Sequence, residues 1–539
     1  MIQLILAALI STTLYVFSFA PWSFWTSALS ILQWFAFVPL FYYLNKYNPT
    51  YRRTFFIGFL ISIGITLGGF YWVIYATEEY GGLPLPAALA LFIAFCLIGQ
   101  LQVPFYLVLR KKALESVSLK KWFWIGGFVY AGIESFYPKL FLDSAGHAFS
   151  GSLYFSQIAD AGGVFFITVL VISFAETLAF ALNENNRKNF KLLIAPISIF
   201  VLCFGYGAFR VGQIRQLLLI QKNTPTLKVA LVQANIGDYM KVAAEKGLNE
   251  ASDEVIKEYL KYSTQALSYS PDAIVWPETA YPALFGKPTR SDEGRMENHL
   301  REFASTFPGT MIFGGYDRDT SSRDYNSMFF LPSSEAKAYV PIPTYHKTIL
   351  LMFGETLPFA EFFPSIKEWF PTMGFFGRGP GPEVYPVKNA KGEIFKIAPS
   401  ICYEGLFPTH SLDGARLGAD ALLNITNDSW FGPNGEPYLH FALTRFRTIE
   451  TRLPMLRSTN TGVTALINPL GELEGQTSLF KAEVLPVDVH PHLAITTPFQ
   501  TIAGVFGNMW FERLSQICVL FILGLIWMKK KKNHSRLSK

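Results

Sequence analysis

KIAPSICYE, residues 396–404, reads as an apolar strand that stops on a cysteine, a tyrosine and a glutamate. Its neighbours share the texture. ALLNITND (421–428) and VTALINPLG (463–471) follow it, and KVALVQANI (228–236), DAIVWPE (272–278), TMIFGGYD (310–317) and NSMFFLP (326–332) precede it. Charge-bearing segments of helical character intervene at 240–269, 291–307 and 437–451. Near-continuous Val, Ile and Leu runs are strands buried on both faces, and their alternation with helices predicts a layered α/β region over residues 221–500.

Cys402 is the only thiol of that region, which therefore cannot close an internal disulfide. Cys96, Cys203 and Cys518 lie in apolar stretches, where a thiol behaves as a small apolar side chain. A lone thiol at a strand end is a candidate nucleophile, although a buried structural cysteine is common. A nucleophilic thiol needs a base and surroundings that favour thiolate. Glu278 ends a strand in IVWPET, and Lys347 follows an extended run in TYHKTILLMFGE. Each alone is also what an ordinary surface charge looks like. All three, however, punctuate strand ends, and in layered α/β folds such ends gather into a crevice.

Outside 221–500 the texture is apolar. The 539 residues are 50% hydrophobic, 16% aromatic and only 16% charged, with a mean hydropathy of +0.26. A soluble chain carries about a quarter charged residues, so part of this one is dissolved in lipid. Disorder, collagen, a coiled coil and a small disulfide scaffold are excluded. Stretches near 3–20, 25–44, 54–76, 86–109, 122–138, 160–182, 192–212 and 505–528 approach the length that crosses ~30 Å of hydrocarbon. They predict a multi-pass helical domain of eight spans, seven within 1–220 and the last within 501–539.

The net charge of +6 sits largely in the breaks 45–53, 110–121 and 183–191 and in the Lys529–Lys532 tail. Such runs set membrane orientation and give no support to a nucleic-acid surface. They place both termini in the cytoplasm and 221–500 outside. Glu134 and Glu176 fall inside spans, either for lipid entry or, the reading favoured here, as partnered or protonated carboxyls between helices. Residues 349–382 hold Phe362, Phe363 and Trp369 among many aromatics, with Pro and Gly between. That composition predicts a membrane-facing arm governing lipid access, a buried core loop being the alternative.

The segments IVWPET, YHKTILLMFGETLPF, PSICYE, ITNDSWFG and RTIETRLPMLRSTNTG resemble, in order and approximate spacing, the nitrilase superfamily. With the spans around them, the chain resembles that superfamily's membrane-embedded branch, the apolipoprotein N-acyltransferases. The resemblance implies an α-β-β-α sandwich outside the bilayer, with Glu278 as general base, Lys347 stabilising the tetrahedral intermediate and Cys402 as nucleophile. It also implies supporting roles for Glu355, Tyr403 and Glu404. Phe362, Phe363 and Trp369 are candidates for holding substrate. A phospholipid would donate an acyl chain to Cys402, and the terminal amine of a diacylglyceryl apolipoprotein would accept it. The implied protein is a monomer of the cytoplasmic (inner) membrane with no cofactor and no metal; His299, His346, His410 and His440 lack ligand spacing. A tethered carbon–nitrogen hydrolase, a paralogue with another membrane amine as acceptor and a transporter with an external binding module are the rivals. Two departures bear on the acceptor: Val242 stands where the family often has Trp, and Ile349–Met352 replaces its usual His-Leu-Val-Pro.

Overall fold

The structure is a computed structural model. It describes residues 2–19, 21–23, 27–79, 81–183, 190–237, 249–288, 290–352, 354–357, 363, 365, 375–433, 435–491 and 495–537. The chain divides into two compact units: Met1–Gln213 with Tyr438–Phe446 and Thr497–Lys539, and Ile214–Pro437 with Arg447–Thr496.

The first unit is helical. Among the described residues five helices are long and apolar enough to cross a membrane: Ser27–Tyr47, Leu85–Leu114, Ala159–Ala181, Phe190–Gln221 and Trp510–Lys532. Tyr51–Gly69 and Val73–Glu79, bent by 58°, make a sixth if they form one span. Against the eight expected spans, Ile2–Ser18 is apolar but only 17 residues long. Leu119–Phe136 carries Lys120, Lys121 and Glu134, which dilute its apolar run. Both carboxyls singled out in the apolar stretches are paired. Glu176 takes Arg110 Nε at 2.5 Å and Nη2 at 2.6 Å, with Tyr106 and Trp122 donating at 3.1 and 3.0 Å. Glu134 takes Lys139 Nζ at 3.1 Å.

The second unit holds two six-stranded sheets. The first contains β1 (Leu227–Gln233), β2 (Ala273–Val275), β3 (Thr310–Arg318), β4 (Asp324–Pro332), β5 (Thr344–His346) and β12 (Glu483–Val489), in the order β12-β1-β2-β3-β4-β5. The second contains β6 (Tyr385–Lys388), β7 (Ile394–Ile401), β8 (Ala421–Thr426), β9 (Met455–Thr459), β10 (Ala465–Ile467) and β11 (Leu473–Gln476), in the order β11-β10-β9-β8-β7-β6. The central pairs β1–β2, β2–β3, β7–β8 and β8–β9 are parallel.

Strand periodicity builds the layers. Leu227, Val229 and Leu231 point between the sheets, where they meet Ile397, Ile401, Leu423 and Ile425. Ala230 and Val232, one residue out of phase, join Val255, Tyr259, Met296 and Leu300 under α1 (Asn249–Ala266) and α2 (Ser291–Ala304). On β7, α3 (Pro408–Arg416) is pinned where His410 Nε2 meets the Pro399 carbonyl oxygen at 2.8 Å. A nitrilase-like layered fold results. The parallel centre brings the carboxyl ends of β2 and β7 to one edge of their sheets, and the site grows from those ends.

Candidate active site

Three chain segments deliver the polar groups. After β2, Trp276-Pro277 leads to Glu278, and Thr279 turns the chain at φ 51°. The turn nests on Gly314 of β3: a Cβ there would lie 2.7 Å from Glu278 Cα and from the Pro277 carbonyl oxygen. After β5 comes Lys347, whose backbone N–H donates to the Asn326 carbonyl at 2.9 Å while its own carbonyl accepts Gly379 N–H at 2.8 Å. Cys402 follows β7 at φ 52°, a left-handed conformation that non-glycine residues adopt at a cost, and opens the 3-10 turn Cys402–Leu406. The kink turns the thiol out of the strand while Cys402 still packs on the intersheet core.

Glu278, Lys347 and Glu355 come together directly. Lys347 Nζ lies 3.3 Å from Glu278 Oε1 and 2.8 Å from Glu355 Oε1, and its side chain is buried. The second oxygen of Glu278 accepts the Asn427 backbone N–H at 3.0 Å, and that of Glu355 accepts Leu351 N–H at 2.9 Å. Glu404 is fully buried and faces the other side of Lys347's segment, accepting from Thr348 and Ile349 as well as from Ile401. Tyr403 is buried, its ring edge-on to Phe407. Of the arm, Phe363 is exposed, while Phe362 and Trp369 lie outside the described residues, as does Val242. In the 349–352 segment Leu350 is buried and Met352 exposed.

Electrostatics couple the three groups. Burial by itself would lower the Lys347 ammonium, but the charges of Glu355 and Glu278 outweigh it and hold the lysine above its ordinary value. Burial pushes the Cys402 thiol up, and the Glu278 charge adds to this. Lys347 and a hydrogen bond with Thr426 pull the thiol down without cancelling the rise. On balance the surroundings favour the thiol over the thiolate. Lys347 favours the thiolate, but burial dominates. A thiol in this setting reacts only when a base takes its proton, and a carboxylate held beside a lysine is equipped for that.

Residues 228–499 match the carbon-nitrogen hydrolase family, and residues 11–176 match the apolipoprotein N-acyltransferase N-terminal domain. The apolipoprotein N-acyltransferase of Bdellovibrio bacteriovorus is 30% identical over 489 residues, covering 87% of this chain and 84% of that one. That of Geobacter metallireducens is 29% identical over 484 residues, 87% of this chain and 86% of its own. That of Vibrio cholerae is 29% identical over 525 residues, 92% of this chain and 94% of its own. The chain belongs to the apolipoprotein N-acyltransferase family.

This N-acyltransferase family member also carries site residues that sequence reasoning missed. Asn326 Nδ2 donates at 2.8 Å to both Glu278 Oε1 and Glu355 Oε1. Asn424 Nδ2 reaches the Cys402 carbonyl at 3.3 Å, and its Oδ1 accepts Arg457 Nη1 at 2.5 Å. Arg457, fully buried, also pairs with Asp428 at 2.9 Å. The available signal is a polar residue within an apolar run for Asn424 in ALLNITND; Asn326 only opens NSMFFLP, and MLRST around Arg457 is too short and polar to stand out as a strand.

Proposed function

We propose that this enzyme carries an acyl chain from a membrane phospholipid, through a thioester on Cys402, to the terminal amine of a diacylglyceryl-cysteine at the start of an apolipoprotein. The observation that carries the reading is the coupling of Glu278, Lys347 and Cys402 across three strand ends, in a chain of this family. Glu278 takes the Cys402 proton as sulfur attacks the sn-1 ester carbonyl. The negative oxygen that develops is met by the Lys347 ammonium and the Tyr403 backbone N–H, donors of a kind each worth about 10²–10³ in rate. Collapse expels the lysophospholipid alkoxide, which takes the proton from Glu278. The acceptor amine then attacks the thioester, Glu278 takes its proton, and the thiolate leaves and is reprotonated. Every proton that leaves is returned, so the cycle needs no cofactor.

Two lipid substrates account for a membrane base, since each acyl CH₂ kept in lipid avoids about 0.8 kcal/mol of exposure. Exposed Phe363 and Met352 suit an arm, together with Phe362 and Trp369, that meets acyl chains. Eight crossings, counting Ile2–Ser18 and Leu119–Phe136 with the six apolar candidates, return the Lys-rich tail to the side of the other basic breaks. On this reading residues 221–500, which lie in sequence between the seven-span region 1–220 and the final span in 501–539, work on the extracytoplasmic face of the inner membrane in a monomeric protein. A carbon–nitrogen hydrolase on a membrane tether shares the triad but leaves the match over residues 11–176 without a purpose.

Labelled phospholipid decides between them. In vesicles holding the full chain, a hydroxylamine-sensitive lipid label should appear on Cys402 and pass to a diacylglyceryl peptide, and Cys402→Ala should carry none. An unlabelled wild type that instead hydrolyses soluble amides overturns the acyltransferase reading.

A further inference from the structure

Asn326 sits in the middle of a polar knot on β4, between Tyr325 and the buried Ser327 and ahead of the apolar run Met328–Leu331. The side chain is buried. Its two amide hydrogens serve Glu278 Oε1 and Glu355 Oε1, both at 2.8 Å from Nδ2. Lys347 Nζ faces the same two oxygens at 3.3 and 2.8 Å. The backbone carbonyl of Asn326 holds the Lys347 N–H at 2.9 Å. One residue thus touches three members of the site.

The amide orientation follows from chemistry. Rotating it by half a turn would set Oδ1 against two carboxylates, acceptor against acceptor. In the required orientation Oδ1 is buried without a partner among the described residues. Folding free energy is given up at Oδ1 so that Nδ2 can point at the acids. Charge explains the need: two carboxylates face the Lys347 ammonium, and like charges this close repel. A neutral donor that bonds both oxygens offsets that repulsion without adding charge. The other titratable groups on the flanking strands are occupied elsewhere: Asp317 with His346 at 2.9 Å, Asp324 with Arg318 at 2.5 Å. The Tyr325 hydroxyl donates to Asp319 and that of Tyr345 to Glu404; beyond Glu278 lie Cys402 and, next to Asn427, Asp428 paired with Arg457.

We propose that Asn326 is a positioning residue that holds Glu278 and Glu355 as a pair of acceptors on one donor, so that Glu278 is free to accept the thiol proton. The inference rests on the acyl-transfer reading above. Without the donor, the two acids can bond each other only by sharing a proton, which competes with the thiol proton for Glu278 and becomes less available as pH rises.

The test is the pH profile of Cys402 labelling by phospholipid in vesicles, for wild type, Asn326→Leu and Asn326→Ala. The Ala variant serves if Leu does not fold. The acid limb should move up by about one pH unit or more, with at least a tenfold loss at pH 7 that shrinks at pH 9. Asn326→Asp keeps the shape, loses the donor and adds a charge, and should be slower than either at pH 7. A uniform loss with an unmoved acid limb assigns Asn326 a structural role only and overturns the proposal. Cys402→Ala in the same vesicles tests the underlying reading separately: product formed without the thiol removes that reading whatever the Asn326 profiles show.

Discussion

Glu404 Oε1 accepts the backbone N–H of Thr348 at 2.6 Å. The same oxygen takes Thr348 Oγ1 at 2.8 Å and Ile349 N–H at 3.0 Å, while Oε2 takes Ile401 N–H at 2.7 Å. The Tyr345 hydroxyl lies 2.9 Å from both oxygens. The carboxylate therefore ties the residue before Cys402 to the residue after Lys347, and with them the ends of β7 and β5. Its bonding capacity is spent on backbone and hydroxyl donors, so it holds the site's dimensions and takes no part in proton transfer.

Glu404→Gln would replace one acceptor oxygen by an amide that meets N–H groups head on. Hydrogen bonds to a charged group contribute about 1.5–3 kcal/mol each, so a loss of about 3 kcal/mol in stability and about a hundredfold in Cys402 acylation is expected. Thermal unfolding and lipid labelling of the variant read both. Wild-type labelling in Glu404→Gln would mean that the tie does not set the geometry.

Gly314 offers a sharper probe of Glu278. The Cβ of an alanine there meets only backbone at short range, including Thr279 N at 2.8 Å, so no flexible side-chain end can yield. Overpacking of this kind costs about 1–3 kcal/mol, and the segment that must shift is the one carrying Glu278. Gly314→Ala should fold with a lowered melting point and lose at least about tenfold in acylation, since a catalytic group displaced by about 1 Å costs far more than its contacts. A rate within twofold of wild type contradicts the close-packing argument.

What was legible in the sequence follows from burial. β1, β3, β4, β7 and β8 are long and largely buried on both faces, and their apolar runs, rich in Val, Ile and Leu in β1, β7 and β8 and in Met and Phe in β3 and β4, announce them. β5, β6, β9, β11 and β12 do not stand out. β9 is central and buried, but its five residues include Arg457, Ser458 and Thr459; the others are short or half-exposed edge strands, and β12 carries Pro486, so their patterns resemble loops. VTALINPLG reads as one strand of nine residues, but only Ala465–Ile467 pairs, because Asn468–Gly471 is a turn in which Gly471 N–H reaches the Asn468 carbonyl. Glu278, Lys347 and Glu355 were named from sequence and lie within bonding distance of one another. Asn326 was not, because a single polar residue opening an apolar strand is indistinguishable from an edge. Only the register of β4 against β3 and β5 turns it toward the acids.

In the membrane unit the Arg110–Glu176 pair, both side chains almost wholly buried, makes a thermodynamic prediction. Removing one partner strands a charge in a low-dielectric interior, which costs about 3–5 kcal/mol, whereas replacing both by apolar residues is often close to neutral. Arg110→Met and Glu176→Leu should each lower the melting point of the detergent-solubilised protein, and the double variant should recover much of the loss. Additive losses in the double variant would show that the two side chains do not depend on each other.

The charges around Cys402 predict opposite signs for two substitutions. Lys347 lowers the thiol pKa and Glu278 raises it. A charge within about 4–6 Å moves a pKa by about one to three units. Lys347→Ala removes the stabiliser of the thiolate and leaves Glu278 and Glu355 unopposed, so the thiol pKa rises further. Glu278→Gln removes the opposing charge and leaves Lys347 acting on sulfur, so the pKa falls. Below its pKa a thiol alkylates in proportion to its thiolate fraction, tenfold for each unit. At pH 8, iodoacetamide, small and neutral, should therefore label Cys402 at least about tenfold more slowly in Lys347→Ala than in wild type, and faster in Glu278→Gln. Phospholipid gives the contrasting result. Glu278→Gln should fail to form the thioester despite its more reactive sulfur, because an amide cannot take the proton and hand it to the leaving alkoxide. A faster alkylation joined to a lost acylation separates a base from a mere neighbour. Should both variants shift alkylation in the same direction, the three groups do not share one site, and the acyl-transfer geometry built on them falls.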